Sequence, residues 1–165
     1  MDSIHLIALG IIATLGIIIY QDLRYRILDV KYAILLLALC CWYNYKHPVL
    51  NYKSILFIVA FISINIALLF LYFSLKKKRL FNPVDTKIGL GDIVFFLAIT
   101  PLFLLRQYIL FFISGLLFSL LLSLAIKWIT KQDKPLPLAG YLSIYLSSIF
   151  ILNFIFNKTF LDLGA

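Results

Sequence analysis

Two aspartates are the residues of this sequence best placed to do chemistry. Asp22 directly follows one apolar run, and Asp92 closes the tetrapeptide from Gly89 to Asp92, Gly-Leu-Gly-Asp, just before another. A carboxylate costs about 2.5–3.5 kcal/mol at the centre of a membrane helix and less near the interface. An acid kept at such a position is therefore a functional candidate. Two of them, from separate helices, could share a proton and act as general acid and general base.

Each aspartate also has a purely structural interpretation. Asp92 could cap the helix that it begins, because negative charge suits a helix N-terminus. Asp22 could pair with Arg24 or Arg26 at the membrane surface. A GxGD tetrapeptide alone is a weak signal, since short glycine motifs also occur in helix packing. Its glycines nevertheless favour a site, because they permit the close backbone approach that a peptide pressed against Asp92 would need.

The elements that carry these aspartates are predicted to be membrane-spanning helices. The 165 residues are 64% hydrophobic with a mean hydropathy of +1.05, whereas soluble domains are about 45–50% apolar. A helix needs about 20 mostly apolar residues to cross the hydrocarbon core. We therefore expect one all-α membrane domain, residues 1–165, with about six transmembrane helices, the first retained rather than cleaved as a signal peptide. The candidate spans are Ser3–Tyr20, Tyr32–Tyr43, Ser54–Leu75, Gly91–Leu105, Tyr108–Trp128 and Leu136–Phe156.

The basic residues predict an orientation rather than a nucleic-acid surface. The net charge is +8, but Lys and Arg lie in short loops between apolar runs, where they set membrane topology. Eleven lie in the first, third and fifth loops and four on the other side, so we expect those loops and both aspartates in the cytoplasm and both termini outside. The eleven are Arg24, Arg26, Lys31, Lys76, Lys77, Lys78, Arg79, Lys87, Lys127, Lys131 and Lys134; the four are Lys46, Lys53, Arg106 and Lys158.

Other polar side chains are expected to be structural. Cys40 and Cys41 are adjacent within an apolar run and do not form a CxxC pair, so we interpret them as small buried hydrophobes rather than zinc ligands. Asn65, inside the third run, is expected to form a helix–helix hydrogen bond. A shared-proton aspartate pair needs no metal and no organic cofactor, and none is predicted.

Three segments together resemble a known family, the type IV prepilin peptidases, which are polytopic aspartyl proteases of the GxGD type. Residues 22–29 are similar to the family's first catalytic Asp with its basic stretch and Ile-Pro-Asn-like end. Residues 89–92 match the Gly-x-Gly-Asp that holds the second. Residues 137–142, Pro-Leu-Ala-Gly-Tyr-Leu, are similar to a later Pro-Phe-Gly-Pro-Phe-Leu-like stretch. The segments follow the family's order and cover most of the chain.

The resemblance implies a reaction, a substrate and a set of site residues. It implies an endopeptidase of the inner membrane that cleaves prepilin-like precursors, in which a short basic leader is joined to an apolar helix. Asp22 and Asp92 would be catalytic. Gly89, Gly91, Pro137 and Gly140 would shape the site, and Asp29 and Asp85 are candidate contacts for the basic leader.

The sequence departs from the family pattern at several positions. Asp29 stands where the family usually has Pro, Val94 where a Lys commonly follows GxGD, and Gly140 where the late motif has its second Pro. These changes bear on substrate fit more than on the catalytic pair. The chain is similar to the short form of the family, without the cytoplasmic cysteine-bearing domain.

Two other functions are compatible with the same residues. A small ion- or proton-coupled transporter could place Asp22 and Asp92 in its path, but it would need polar groups continuing through the bilayer. A catalytically inactive assembly factor for a pilus or secretion system would keep its function when either aspartate becomes Asn. The GxGD proteases of the presenilin type are a weaker match.

Overall fold

The computed structural model describes residues 3–25, 28–46, 52–77, 89–130 and 137–156. These residues form six α-helices and one 3-10 turn. The helices are α1 (Ser3–Tyr25), α2 (Val30–Lys46), α3 (Tyr52–Lys77), α4 (Leu90–Ala98), α5 (Leu105–Thr130) and α6 (Leu138–Phe156), and the 3-10 turn is Thr100–Leu102. The predicted all-α bundle is confirmed.

Three helices are long and apolar enough to cross a membrane. They are the segments His5–Tyr25, Tyr52–Lys76 and Leu105–Trp128, of 21, 25 and 24 residues. At 1.5 Å per residue each exceeds the roughly 30 Å of a hydrocarbon core. Two further apolar segments, Leu90–Leu102 and Leu138–Leu152, are shorter. These apolar helices identify a membrane protein.

Helix α1 is longer than the sequence predicted. It packs against α2 and α6, and it buries a stripe at the spacing of one helix face: Ile7, Ile11, Leu15 and Ile18. The helix continues to Tyr25 rather than ending at Tyr20. Asp22 therefore lies inside the last turns of α1, on the continuation of its buried stripe, and not in the loop after it.

The fourth predicted span, Gly91–Leu105, is not one continuous helix. Helix α4 ends at Ala98, after nine residues. Pro101 has no N–H to bond the carbonyl four residues earlier, so an α-helix cannot continue through it unbroken. The chain instead makes the 3-10 turn, with Leu102 N–H donating to the Ile99 carbonyl at 3.0 Å. Because Thr100, Pro101 and Leu102 are buried, this break lies within the bundle.

Helix α3 lies at the outside of the bundle, against α4, the 3-10 turn and α5. Only 11% of its apolar window is buried. Its main anchors are aromatic: Phe61 stacks edge-on against Phe112 at 5.5 Å and against Tyr108 at 6.3 Å between ring centroids. A sparsely packed outer helix of this kind leaves room for a groove between α3 and its neighbours.

Candidate active site

The site is built around the first turn of α6. Pro137 precedes the helix and its carbonyl accepts the first helical bond, from Tyr141 N–H at 3.2 Å. The first N–H groups of any helix lack partners within the helix, and a side-chain oxygen at the capping position normally accepts one of them. Pro137 has no such oxygen. The amides of Ala139 and Gly140 are bound instead by carboxylates from two other helices.

Asp92 reaches this turn from the beginning of α4. Its Oδ1 accepts a hydrogen bond from Ala139 N–H at 3.0 Å, across 47 residues of sequence. The carboxylate also lies near the backbone N–H of Gly89, the residue that precedes α4. Gly89 is the N-cap of α4, which has no side-chain cap hydrogen bond, so Asp92 adds negative charge to the first turn of α4 and binds an amide in the first turn of α6. This bonding locates its half-buried side chain between two helix N-termini.

Asp22 reaches the same turn from α1. Its Oδ2 accepts a hydrogen bond from Gly140 N–H at 2.5 Å, and the residue is only 7% exposed. A Cβ at position 140 would lie 3.1 Å from that oxygen and 3.3 Å from the Asp22 Cβ. Such contacts are tighter than ordinary packing allows, so the absence of a side chain at Gly140 lets the carboxylate approach the α6 amide.

The two carboxylates are thus bound by consecutive amides of one helix. Consecutive backbone nitrogens lie about 3 Å apart, so the bonded oxygens of Asp22 and Asp92 are at most about 9 Å apart. The two groups are close enough to repel each other when both are ionised. The end of α1 and the beginnings of α4 and α6 therefore meet at one end of the bundle and gather both acids there.

The glycines of the GxGD segment serve packing within the chain. A Cβ on Gly91 would lie only 2.6 Å from the Leu28 Cβ, so Leu28, just before α2, occupies the space beside Gly91. The clearance that we expected for a substrate peptide is therefore not found there. A Cβ on Gly89 would lie 3.1 Å from the Asp92 Oδ2. Both glycines shape the site by letting its own chain close around Asp92.

Asp29, a candidate contact for the leader, is the N-cap of α2. Its Oδ1 accepts a hydrogen bond from Lys31 N–H at 3.3 Å, and its carbonyl accepts from Tyr32 N–H at 3.1 Å. This is the capping geometry that Asp favours. Capping thus gives Asp29 a structural role at the start of α2. Its contact with a leader stays a prediction, and Asp85 lies outside the described residues.

An apolar pocket of about 210 Å³ opens beside Asp92, between α3, α4, α5 and α6. Asp92 and Asn65 are its two polar lining residues; the others are Ile62, Ile66, Leu69, Ile93, Phe96, Phe112, Leu116 and Leu138. Among the described residues, Asn65 bonds its own helix rather than the neighbouring helix that we expected: its Nδ2 donates to the Phe61 carbonyl at 2.8 Å. An apolar group in this pocket would lie against the Asp92 carboxylate.

The cysteines are not part of this site, and the described residues form no metal site. Cys40 is buried as predicted, but Cys41 is exposed, because consecutive side chains of a helix point about 100° apart. Within the described residues, no three His, Cys, Asp or Glu side chains come together as a metal site would require. The sequence did not indicate the Ala139 amide, the Leu28 contact or the pocket; the one local signal was Pro137, which marks a helix start without a capping side chain.

Comparisons with protein-family profiles, with curated protein sequences and with solved structures find no match to this chain.

Proposed function

We propose that this protein is a membrane aspartic endopeptidase that cleaves the leader of type IV prepilin-like precursors at the cytoplasmic face of the inner membrane. The observation that supports this most is the meeting of Asp22 and Asp92 at the first turn of α6. Two acids that are 70 residues apart in the sequence are held at one end of a bundle whose buried residues are mostly apolar. The resemblance of residues 22–29, 89–92 and 137–142 to the prepilin peptidases supplies the reaction.

The proposed reaction is peptide hydrolysis by a shared-proton pair. Two close carboxylates do not both ionise readily, so one keeps a proton near neutral pH. The ionised carboxylate takes a proton from water, whose oxygen attacks the scissile carbonyl carbon, while the protonated one donates to the carbonyl oxygen. Collapse of the tetrahedral intermediate breaks the C–N bond. The carboxyl that took the water proton gives it to the departing amine, and the other carboxylate takes a proton back from the diol, which restores the singly protonated pair. We assign acid and base to the pair and not to either residue.

The surroundings of the pair suit a substrate with a basic leader and an apolar helix. The apolar pocket beside Asp92 would receive an apolar part of the substrate, and the loosely packed α3 that forms one wall could yield to admit it. The orientation inferred from the basic loops would put both termini outside and the pair at the cytoplasmic surface. A basic leader would remain there while its helix lies in the bilayer.

The test is cleavage of a precursor in proteoliposomes containing the full-length protein. The substrate is a synthetic precursor with a basic leader joined to an apolar helix. Asp22→Asn and Asp92→Asn should each reduce cleavage at saturating substrate by at least about 1,000-fold, because the one remaining carboxylate cannot act as base and as acid in the same step. Asp29→Asn is the matched control, since Asn also caps a helix well; its maximal rate should stay near that of the wild type.

The same variants separate this proposal from its alternatives. Full leader processing by Asp22→Asn and Asp92→Asn would eliminate catalysis by the pair. No processing by the wild type, together with pilus or secretion assembly retained in both Asn variants, would favour an assembly factor. A transporter would instead carry protons into proteoliposomes to which no precursor has been added. This proton flux would disappear in both Asn variants, and no leader would be cut.

A further inference from the structure

Asn65 is the polar residue on the face of α3 that lines the pocket beside Asp92. That face consists of Ile62, Asn65, Ile66 and Leu69, whose spacing places them on one side of a helix. Asp92 lines the same pocket from α4. Among the described residues, an amide on one wall and a carboxyl on another are thus the two polar side chains that border this apolar space.

The hydrogen bond that Asn65 makes within α3 leaves most of its side-chain amide available. Its Nδ2 donates to the Phe61 carbonyl at 2.8 Å. Because a carbonyl can only accept, the amide nitrogen must face Phe61, and Oδ1 points away from that carbonyl. A side-chain amide has two N–H donors and an oxygen that accepts two bonds. This is the one hydrogen bond of the Asn65 side chain among the described residues, so Oδ1 and the second N–H remain for a ligand.

A peptide that is cut beside an apolar pocket needs partners for its backbone. Inside an α-helix each carbonyl accepts a bond from the N–H four residues later, so a precursor helix must unwind locally before its carbonyl can react. Unwinding frees backbone N–H groups, which no water satisfies within a bilayer and which are costly to leave unbonded. Asp92 already binds Ala139 N–H. The polar atom of this pocket that can accept a freed N–H is therefore Oδ1 of Asn65.

We propose that Asn65 binds the backbone of the precursor, with its Oδ1 accepting a hydrogen bond from a peptide N–H just after the scissile bond. This role rests on the proposed function. The apolar pocket suits residues after the scissile bond, because in such precursors the apolar helix follows the basic leader. Asn65 would hold the unwound start of that helix beside Asp92. It takes no part in proton transfer, so its loss should raise KM and leave kcat nearly unchanged.

The first test removes the N–H that Asn65 would bind. In a series of precursor esters, one backbone N–H after the scissile bond is exchanged for oxygen at successive positions, and the scissile amide itself is kept. At one position the ester should raise the KM of the wild type about tenfold, because a buried acceptor then loses its donor. Asn65→Leu should raise KM for the all-amide precursor by a similar factor, and that ester should then cost nothing more. An unchanged KM in Asn65→Leu, or ester effects as large in the variant as in the wild type, would overturn the proposal.

Ser63→Ala is the matched control for this cycle. Ser63 also donates to a carbonyl four residues earlier in α3, that of Val59 at 2.8 Å, but it is exposed and is not among the residues that line the pocket. Its KM for every precursor should match that of the wild type. Leu is close to Asn in size and suits a membrane helix, so Asn65→Leu should still insert. An equal rise of KM in Ser63→Ala and Asn65→Leu would assign the effect to α3 as a whole and overturn the role of Asn65.

A binding measurement separates this role from the proposed function. In the Asp22→Asn background no leader should be cut, so the affinity of the full-length protein for a fluorescent precursor can be measured at equilibrium in detergent. Adding Asn65→Leu should weaken binding of the all-amide precursor about tenfold and leave binding of one of the esters unchanged. If the wild type cuts no precursor but this difference appears, the proposed function fails and the binding role stands. Equal affinities with and without Asn65→Leu, or no binding by either protein, would overturn the binding role.

Discussion

Asp22 and Asp92 accept hydrogen bonds from adjacent backbone amides, those of Gly140 and Ala139, at the first turn of α6. The helix thereby holds two acids from α1 and α4 at one fixed spacing. A negative charge at a helix N-terminus is also favoured by the helix dipole, which stabilises a carboxylate in that position. Because both acids depend on the same turn, a disturbance of that turn should affect their mutual geometry before it affects the fold.

Gly140→Ala should impair catalysis more than stability. The new Cβ would lie 3.1 Å from the Asp22 Oδ2, so the carboxylate must move by a few tenths of an ångström. Small misplacements of catalytic groups cost about 10- to 100-fold in rate, whereas Ala is favoured over Gly in a helix by about 1 kcal/mol. The two measurements are kcat for precursor cleavage and the midpoint of unfolding in detergent. Gly16→Ala, where a Cβ meets nothing within 4 Å, should leave kcat unchanged; a similar small effect at both positions would contradict the crowding of Asp22.

Gly91→Ala should destabilise the protein. Its Cβ would lie 2.6 Å from the Leu28 Cβ, which is too short for two carbons, and overpacking of this kind costs about 1–3 kcal/mol. The free energy of unfolding, compared with that of Gly16→Ala, measures the effect. Leu28→Gly removes the opposing Cβ and Leu28→Ala keeps it. In a double-mutant cycle, Leu28→Gly should offset part of the destabilisation by Gly91→Ala, and Leu28→Ala should not. Equal coupling energies for the two Leu28 variants would show that the contact between the two Cβ atoms does not cause the destabilisation.

Filling the pocket beside Asp92 should weaken substrate binding. Leu116→Trp places an indole in the apolar space between α3 and α5, so KM for the precursor should rise by about tenfold, as expected when about 1.4 kcal/mol of apolar contact is lost. Leu117, the next residue, is 55% exposed, and Leu117→Trp is the control. Cleavage kinetics over a range of precursor concentrations give both constants. An unchanged KM in Leu116→Trp would mean that the substrate does not use this pocket.

Asp29 should stabilise the start of α2 by accepting a hydrogen bond, and its negative charge should not be needed for this. Asp29→Ala loses the hydrogen bond to Lys31 N–H and should lower the free energy of unfolding by about 1 kcal/mol. Asp29→Asn keeps an accepting oxygen and should leave stability unchanged. The KM of Asp29→Asn for precursors with two and with four leader lysines then tests the leader contact: a rise that grows with leader charge would assign that contact, and equal values would leave Asp29 a cap alone.

Local sequence patterns were sufficient to locate the six helices, but not the ends of α1 and α4. Apolar runs predicted α3 and α5 closely, because the cost of placing polar side chains in an apolar surrounding acts residue by residue. The chain also marked its two unusual acids, since a carboxylate beside an apolar run is conspicuous in any single sequence. The fourth run was misjudged because Pro101 sits in an apolar context that hydropathy alone treats as continuous.

Only the tertiary structure decided which helix ends meet. Whether Asp22 and Asp92 face each other depends on how α1, α4 and α6 pack, and that packing is set by side-chain shapes distributed over the whole bundle. The pattern Gly-Leu-Gly-Asp does not say that Leu28 fills the space beside Gly91. Nor does Pro-Leu-Ala-Gly say that its amides bind two acids from elsewhere. Hydropathy and helix propensity act within a segment and can be read from it, whereas a contact across 118 residues, such as that between Asp22 and Gly140, exists only once every helix has packed.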